Sequence, residues 1–249
     1  MGFSYSEIWD DAVRLLKANA ALLAAIAGVF LLLPDLLIAH FFPQPRAEDP
    51  AQMGRLMLAW FRDNSGVLML GTLINAVGAL AMLLLLLDPR RPTVGGAIAA
   101  VPPLILSFFV ASILSNLMIV GGMFLLIVPG LYLIGRLSPV GAAIAAERIA
   151  NPIAAIRRGF ALTRGRGWGL LGLLTVIVVA GLVVTFAISA VFGSVFLLAG
   201  GQQLGGLLIR ILDAILGAAL GMVLVALYAA IYRRLSGEAL PTGRRSSGV

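Results

Sequence analysis

The sequence predicts an all-α integral membrane protein: a single bundle of about six transmembrane helices with additional amphipathic interfacial helices. Three observations carry this. Of 249 residues, 61% are hydrophobic and only 12% are charged. The mean hydropathy is +1.05. Several stretches as long as a membrane span carry almost no charge. A chain so poor in polar side chains cannot give a globule a wettable surface. Roughly 20 apolar residues, at about 1.5 Å each, cross a hydrocarbon core of about 30 Å. They do so as helices, because lipid offers the peptide group no partner.

The whole chain, 1–249, reads as one polytopic domain. An interfacial helix covers about 4–18. Ser4 and Glu7 have capping-box spacing, and Ile8, Trp9, Ala12, Val13, Leu15 and Leu16 gather on one side, with Asp10, Asp11, Arg14 and Lys17 elsewhere. Its expected place is the membrane surface. The acidic, aromatic start Met1 to Glu7 does not resemble a cleaved signal peptide. The first span, about 20–42, contains Pro34 and Asp35, and the polar run Pro43 to Pro50 takes the chain into water. Met53, Leu56, Met57, Trp60 and Phe61 then recur at helical spacing, forming a second amphipathic piece.

The second span, about 66–87, is interrupted only by Thr72 and Asn75 and stops at Asp88-Pro89-Arg90-Arg91-Pro92. From Thr93 to Ala146 the apolar run is too long for one crossing. It divides into spans of about 103–120 and 123–146 if the turn is Gly121-Gly122, or 103–128 and 131–146 if it is Pro129-Gly130; length does not choose between them. A polar stretch, 147–167, precedes a fifth span at about 168–192. A Gly- and Gln-containing connection, Gly200 to Gly206, leads to a sixth at about 207–232, followed by a disordered basic tail at about 236–249.

Basic residues near span ends are retained on the cytoplasmic side. With the N-terminus inside, thirteen of the eighteen lie on inner segments: Arg14, Lys17, Arg90, Arg91, five Arg of the 147–167 loop, Arg233, Arg234, Arg244 and Arg245. Arg46, Arg55, Arg62 and Arg210 lie outside, and Arg136 lies within the fourth span. Six crossings with both termini cytoplasmic are expected.

The residue inventory argues against an enzyme. There is no Cys and one His, His40, so neither a zinc set nor a His-assisted nucleophile can be assembled. Asp35 and Asp213 lack the setting of an intramembrane aspartyl pair. Gly167-Trp168-Gly169-Leu170-Leu171-Gly172 fits a dinucleotide-binding pattern by chance, since it follows a basic loop rather than a strand. The net charge of +7 is spread among apolar spans, which excludes a nucleic-acid-binding fold. No cofactor is expected.

Charges at membrane depth are costly and few: Asp35, Arg136, Arg210 and Asp213. Arg210 and Asp213, three apart on one helix, are expected to pair with each other. Arg136 lies between Gly135 and Ser138-Pro139, where it either snorkels to water or holds an acidic group. Ser107, Ala111, Ser115, Gly217 and Gly221 recur at spacings that let helices approach closely, and Asn75 and Asn116 are candidates for hydrogen bonds across helices.

In the basic loop, Asn151-Pro152 opens a short helix and Gly165 ends it. Ile153, Ile156, Phe160 and Thr163 would share one face, leaving Arg157, Arg158 and Arg164 for water or headgroups. The run Val128-Pro129-Gly130-Leu131-Tyr132-Leu133, with Arg136, Glu147, Pro152, Ala155, Arg158, Leu162-Thr163-Arg164-Gly165 and Trp168, resembles the membrane domain of bacterial glycerophosphoryl diester phosphodiesterases and of related small inner-membrane proteins of unknown role. Gly159 departs from that pattern, which usually has Ser there. The resemblance implies a six-helix domain of the bacterial inner membrane. It does not imply phosphodiesterase activity, which in those enzymes is the work of a separate soluble barrel.

The function expected is therefore non-enzymatic: an accessory or scaffold binding lipid, above all anionic headgroups on the cytoplasmic side, or a membrane-protein partner or second copy. The candidate binding residues are Arg136, Arg148, Arg157, Arg158, Arg164 and Arg166. The alternative is a small-solute transporter or channel with a pathway near Arg136, Asn75, Asn116 and a helix break at Pro129-Gly130.

Overall fold

A computed structural model describes residues 4–45, 49–89 and 93–237. The predicted tail therefore lies outside the described residues apart from its first two positions, as do Arg46, Arg90, Arg91, Arg244 and Arg245. The described residues form helices without a strand, and six are long and apolar enough to cross a membrane. The protein is a multi-pass α-helical membrane protein.

In chain order the elements are α1 (Tyr5–Ala27), a π-helical turn (Gly28–Leu32), α2 (Leu33–Phe41), α3 (Pro50–Asp63), α4 (Ser65–Leu87), α5 (Val94–Ala99), α6 (Pro102–Leu125), α7 (Ile127–Leu137), α8 (Val140–Glu147), α9 (Pro152–Leu162) and α10 (Gly167–Ser236). The helices long and apolar enough to cross are Tyr5–Phe41, Ser65–Leu87, Pro102–Leu125, Ile127–Glu147 and the two arms of α10, Gly167–Gly201 and Gln203–Ser236. Both ends of the described chain lie at one end of the bundle, called here the basic end.

The first surface helix and the first span form one continuous element, bent at Asn19, whose φ of −125° and ψ of 15° leave the helical region. Residues 5–18 pack into the bundle: Ile8, Ala12 and Leu15 are buried and α1 runs along α10. Asp11 is only 2% exposed, so it belongs to the packed face rather than the water face assigned by the periodicity. The π-turn follows from Pro34, whose ring would strike the carbonyl of Phe30 in a regular helix. The wider turn, with the Leu33 N–H donating to the Gly28 carbonyl, relieves that clash.

Lipid tails are as apolar as Leu, so helix association relies on close fit and small residues. A Cβ on Gly78 would collide with Phe30 Cβ, and one on Gly221 would lie 2.6 Å from Leu31 Cδ2. The π-turn is thereby seated between α4 and the second arm of α10. Leu80 to Leu87 form an unbroken buried run, which makes the second half of α4 the centre of the bundle. Where α7 meets the first arm of α10, a Cβ on Gly135 would collide with the Gly167 carbonyl oxygen.

The turn between the third and fourth spans falls on neither expected glycine pair. The chain reverses at Leu126, which is extended at φ −158° and ψ 135°. Pro129 and Gly130 lie inside α7, and Gly122 and Gly130 face each other across the hairpin, with Gly130 Cα 3.0 Å from where a Gly122 Cβ would stand. These glycines close the hairpin rather than turn it. The predicted connection at Gly200 to Gly206 is likewise mostly helical. The reversal takes one residue, Gly201, at φ 63° and ψ −170°, a region essentially confined to glycine.

Candidate functional site

At the basic end, guanidinium groups tie helix ends together. Glu147, the last residue of α8, accepts from Arg158 Nε of α9 at 2.7 Å and from Tyr232 Oη of α10 at 2.9 Å. Arg148, the next residue, adopts a left-handed φ of 52° to close α8 and pairs with Asp88, beyond α4, at 3.0 Å. Arg233 donates to the Leu86 carbonyl at 2.5 Å, satisfying one of the acceptors a helix C-terminus leaves open. Arg234 donates to Glu7 at 2.5 Å and to Asp11, which also accepts from Arg14. The Arg158 guanidinium is held above its ordinary pKa, first by its hydrogen bond to Glu147, with burial opposing the shift.

Arg136 is engaged within the bundle, although its Nε is buried without a partner. Its Nη2 donates to the Phe160 carbonyl near the end of α9 at 2.8 Å and its Nη1 to Tyr132 Oη at 3.2 Å. The guanidinium lies 5.1 Å from the Phe160 ring centroid and 5.7 Å from that of Tyr132. Thr163, fully buried, donates to the Arg136 carbonyl at 3.1 Å. Arg136 thus clasps α9 to α7.

Helix α9 begins as its sequence predicts, with Asn151 Oδ1 accepting from the N–H groups of Ile153 at 2.9 Å and Ala154 at 3.3 Å. Its buried face keeps Ile156, Phe160 and Thr163 of the expected set but not Ile153. Ala155, Ile156 and Gly159 face inward, whereas Ile153 is 55% exposed. A Cβ at Gly159 would meet Val140 Cγ2 at 2.5 Å, so α9 lies close against α8 at this glycine.

The six predicted Arg therefore divide. Arg136, Arg148 and Arg158 serve intramolecular contacts. Arg157, Arg164 and Arg166 are exposed at the same end. Arg157 and Arg164 have no ion pair among the described residues.

The opposite end holds a feature that sequence reasoning missed. A cavity of about 970 Å³ opens between α2, α4, the second arm of α10 and the surface helix α3. Asp35, Asn75 and Arg210 line it, with Trp60 and Phe61. Asn75 Nδ2 donates to Asp35 Oδ1 at 3.1 Å, so Asn75 does bond across helices. Asn116 does not; it donates to the Ser112 carbonyl of its own helix at 2.9 Å. Nor do Arg210 and Asp213 pair with each other. Asp213 accepts from Ser189 of the facing arm at 2.5 Å, while Arg210 turns to the cavity. Each polar residue was visible singly, but their convergence from the first, second and sixth spans leaves no periodic signal in one sequence.

Among the described residues no group of three His, Cys, Asp or Glu is placed to hold a metal ion. No family model, no curated protein and no solved structure matches this chain.

Proposed function

We propose that this chain is a non-enzymatic protein of the bacterial inner membrane, with both termini cytoplasmic, that binds anionic lipid headgroups at its basic end. The observation that carries the reading is a charge imbalance. Glu7, Asp11, Asp88 and Glu147 are all engaged by Arg residues of the bundle itself. Arg157 and Arg164 stand exposed beside them without a carboxylate of their own. Each such residue near an anionic surface adds about 1 kcal/mol of attraction. The likeness to the phosphodiesterase membrane domain is proposed as one of fold alone. It is supported by the meeting of the residues that carry it: Arg136 with Tyr132, Glu147 with Arg158, and Tyr132 with Trp168, whose rings lie 5.3 Å apart.

The test is native mass spectrometry of the full chain released from nanodiscs mixing phosphatidylglycerol and phosphatidylcholine. The anionic lipid should be retained preferentially, and R157Q/R164Q should abolish the preference without altering the melting temperature. An unchanged preference in that variant would remove the reading.

A further inference from the structure

The cavity at the opposite end carries a separate inference. Three of its groups come from apolar spans where unsatisfied polarity is costly. Asp35 lies six residues before the end of α2 and Arg210 seven after Gln203, so each is about 10 Å inside its helix end. Intramolecular bonds do not satisfy this set. Asn75 Oδ1 and Arg210 Nε are buried without a partner. Among the described residues no ion pair joins Asp35 to Arg210. Opposite charges thus line one cavity without a direct ion pair between them.

The space suits a ligand. Small-molecule sites occupy about 300–1,000 Å³, and this cavity is about 970 Å³. Its charges select the class. A purely anionic ligand would satisfy Arg210 and be repelled by Asp35, and a purely cationic one the reverse. A zwitterion neutralises both. An ammonium group fits Asp35, with the rings of Trp60 and Phe61 nearby as cation–π surfaces. A phosphate fits Arg210, whose planar donors match its oxygens, while Thr72 and Asn75 add neutral polar groups. Ile38 and Leu68 complete an apolar wall against which an acyl chain or glycerol can lie.

The geometry points to a binding site for a phosphate–ammonium zwitterion of the phosphoethanolamine class, held between Arg210 and Asp35. Two sources share that chemistry: the headgroup of a membrane lipid and a free, water-soluble phosphodiester. The experiment titrates the full-length protein in detergent with dioleoyl-phosphatidylethanolamine, with dioleoyl-phosphatidylglycerol and with glycerophosphoethanolamine, reading bound adducts by native mass spectrometry. Phosphatidylethanolamine should bind about tenfold more tightly than phosphatidylglycerol. D35N should remove that preference by weakening the ethanolamine lipid alone, and R210Q should weaken both lipids. Binding of glycerophosphoethanolamine as tight as that of the lipid assigns a free solute, and binding of the lipid alone assigns a headgroup; either supports the zwitterion site. Equal binding of the two lipids to R157Q/R164Q, in which the basic end no longer retains phosphatidylglycerol, overturns it. So does a preference that survives D35N. The lipid set at the basic end is read through Arg157 and Arg164, so R157Q/R164Q leaves this preference intact and separates the two sites.

Discussion

Arg234, two residues before the end of the last helix, donates its Nε to the buried carboxylate of Asp11 in the first. The contact spans 223 positions of sequence and locks the two ends of the described chain together. Removing one member of a buried ion pair costs more than the pair contributes, because the other charge stays desolvated. Arg14 also reaches Asp11, which softens the loss. R234M is expected to destabilise the bundle by about 2 kcal/mol, below the roughly 3–5 kcal/mol seen when a buried charge loses its only partner. D11L/R234M should recover most of it. Thermal unfolding in detergent, followed by circular dichroism, measures both.

The Glu147–Arg158 contact has a defined pH signature. The folded pKa of Arg158 lies above its unfolded value. Its contribution is therefore fully present below the unfolded value and is lost only as pH rises through the raised one, in strong alkali. Hydrogen exchange in α9 should show protection beyond the intrinsic rate that is flat from about pH 7 to about pH 10. E147Q should lower that protection across the whole range.

Two glycines make a paired test of packing. A Cβ on Gly130 would lie 2.5 Å from the backbone nitrogen of Met123 and 2.8 Å from its Cα, atoms that cannot swing away. G130A should cost about 1–3 kcal/mol by prising α6 from α7. Gly217 has nothing within 4 Å of where its methyl would stand, so G217A should be neutral or stabilise by up to about 1 kcal/mol through helix propensity. Equal effects of the two substitutions on the unfolding midpoint would contradict the packing described.

Arg136 is expected not to tolerate lysine. Its guanidinium bonds two groups while lying near two rings, and a single ammonium cannot reproduce that planar fork. R136K should cost about 1–3 kcal/mol and loosen α9, read as faster proteolysis between Glu147 and Gly165.

Span number and helical class were legible because they depend on composition and length, which lipid reads directly. The start of α9 was legible because capping is local: Asn151 and Pro152 act within one turn. What the sequence left open is tertiary. Gly121, Gly122, Pro129 and Gly130 look like turn residues, yet the hairpin turns at Leu126, since in lipid glycine serves close approach as readily as reversal. Arg136 and Arg210 were conspicuous as charges, but spacing along one helix suggested the wrong partner for Arg210 and none for Arg136. The groups that share their surroundings arrive from elements up to 175 positions away, as Asp35 does on the cavity that Arg210 lines.

The π-helical turn ahead of Pro34 also sets an azimuth. A π-turn takes in one more residue than an α-turn, which offsets everything after it by about 100° around the helix axis. Asp35 follows that offset by only three residues, and its carboxylate meets Asn75 as a result. Restoring regular winding at Gly28–Leu32 would carry the charge around the axis, away from Asn75. A proline that relieves its own steric clash thereby decides which way an acid points, and a one-residue deletion in this turn would act as a rotation rather than a shortening.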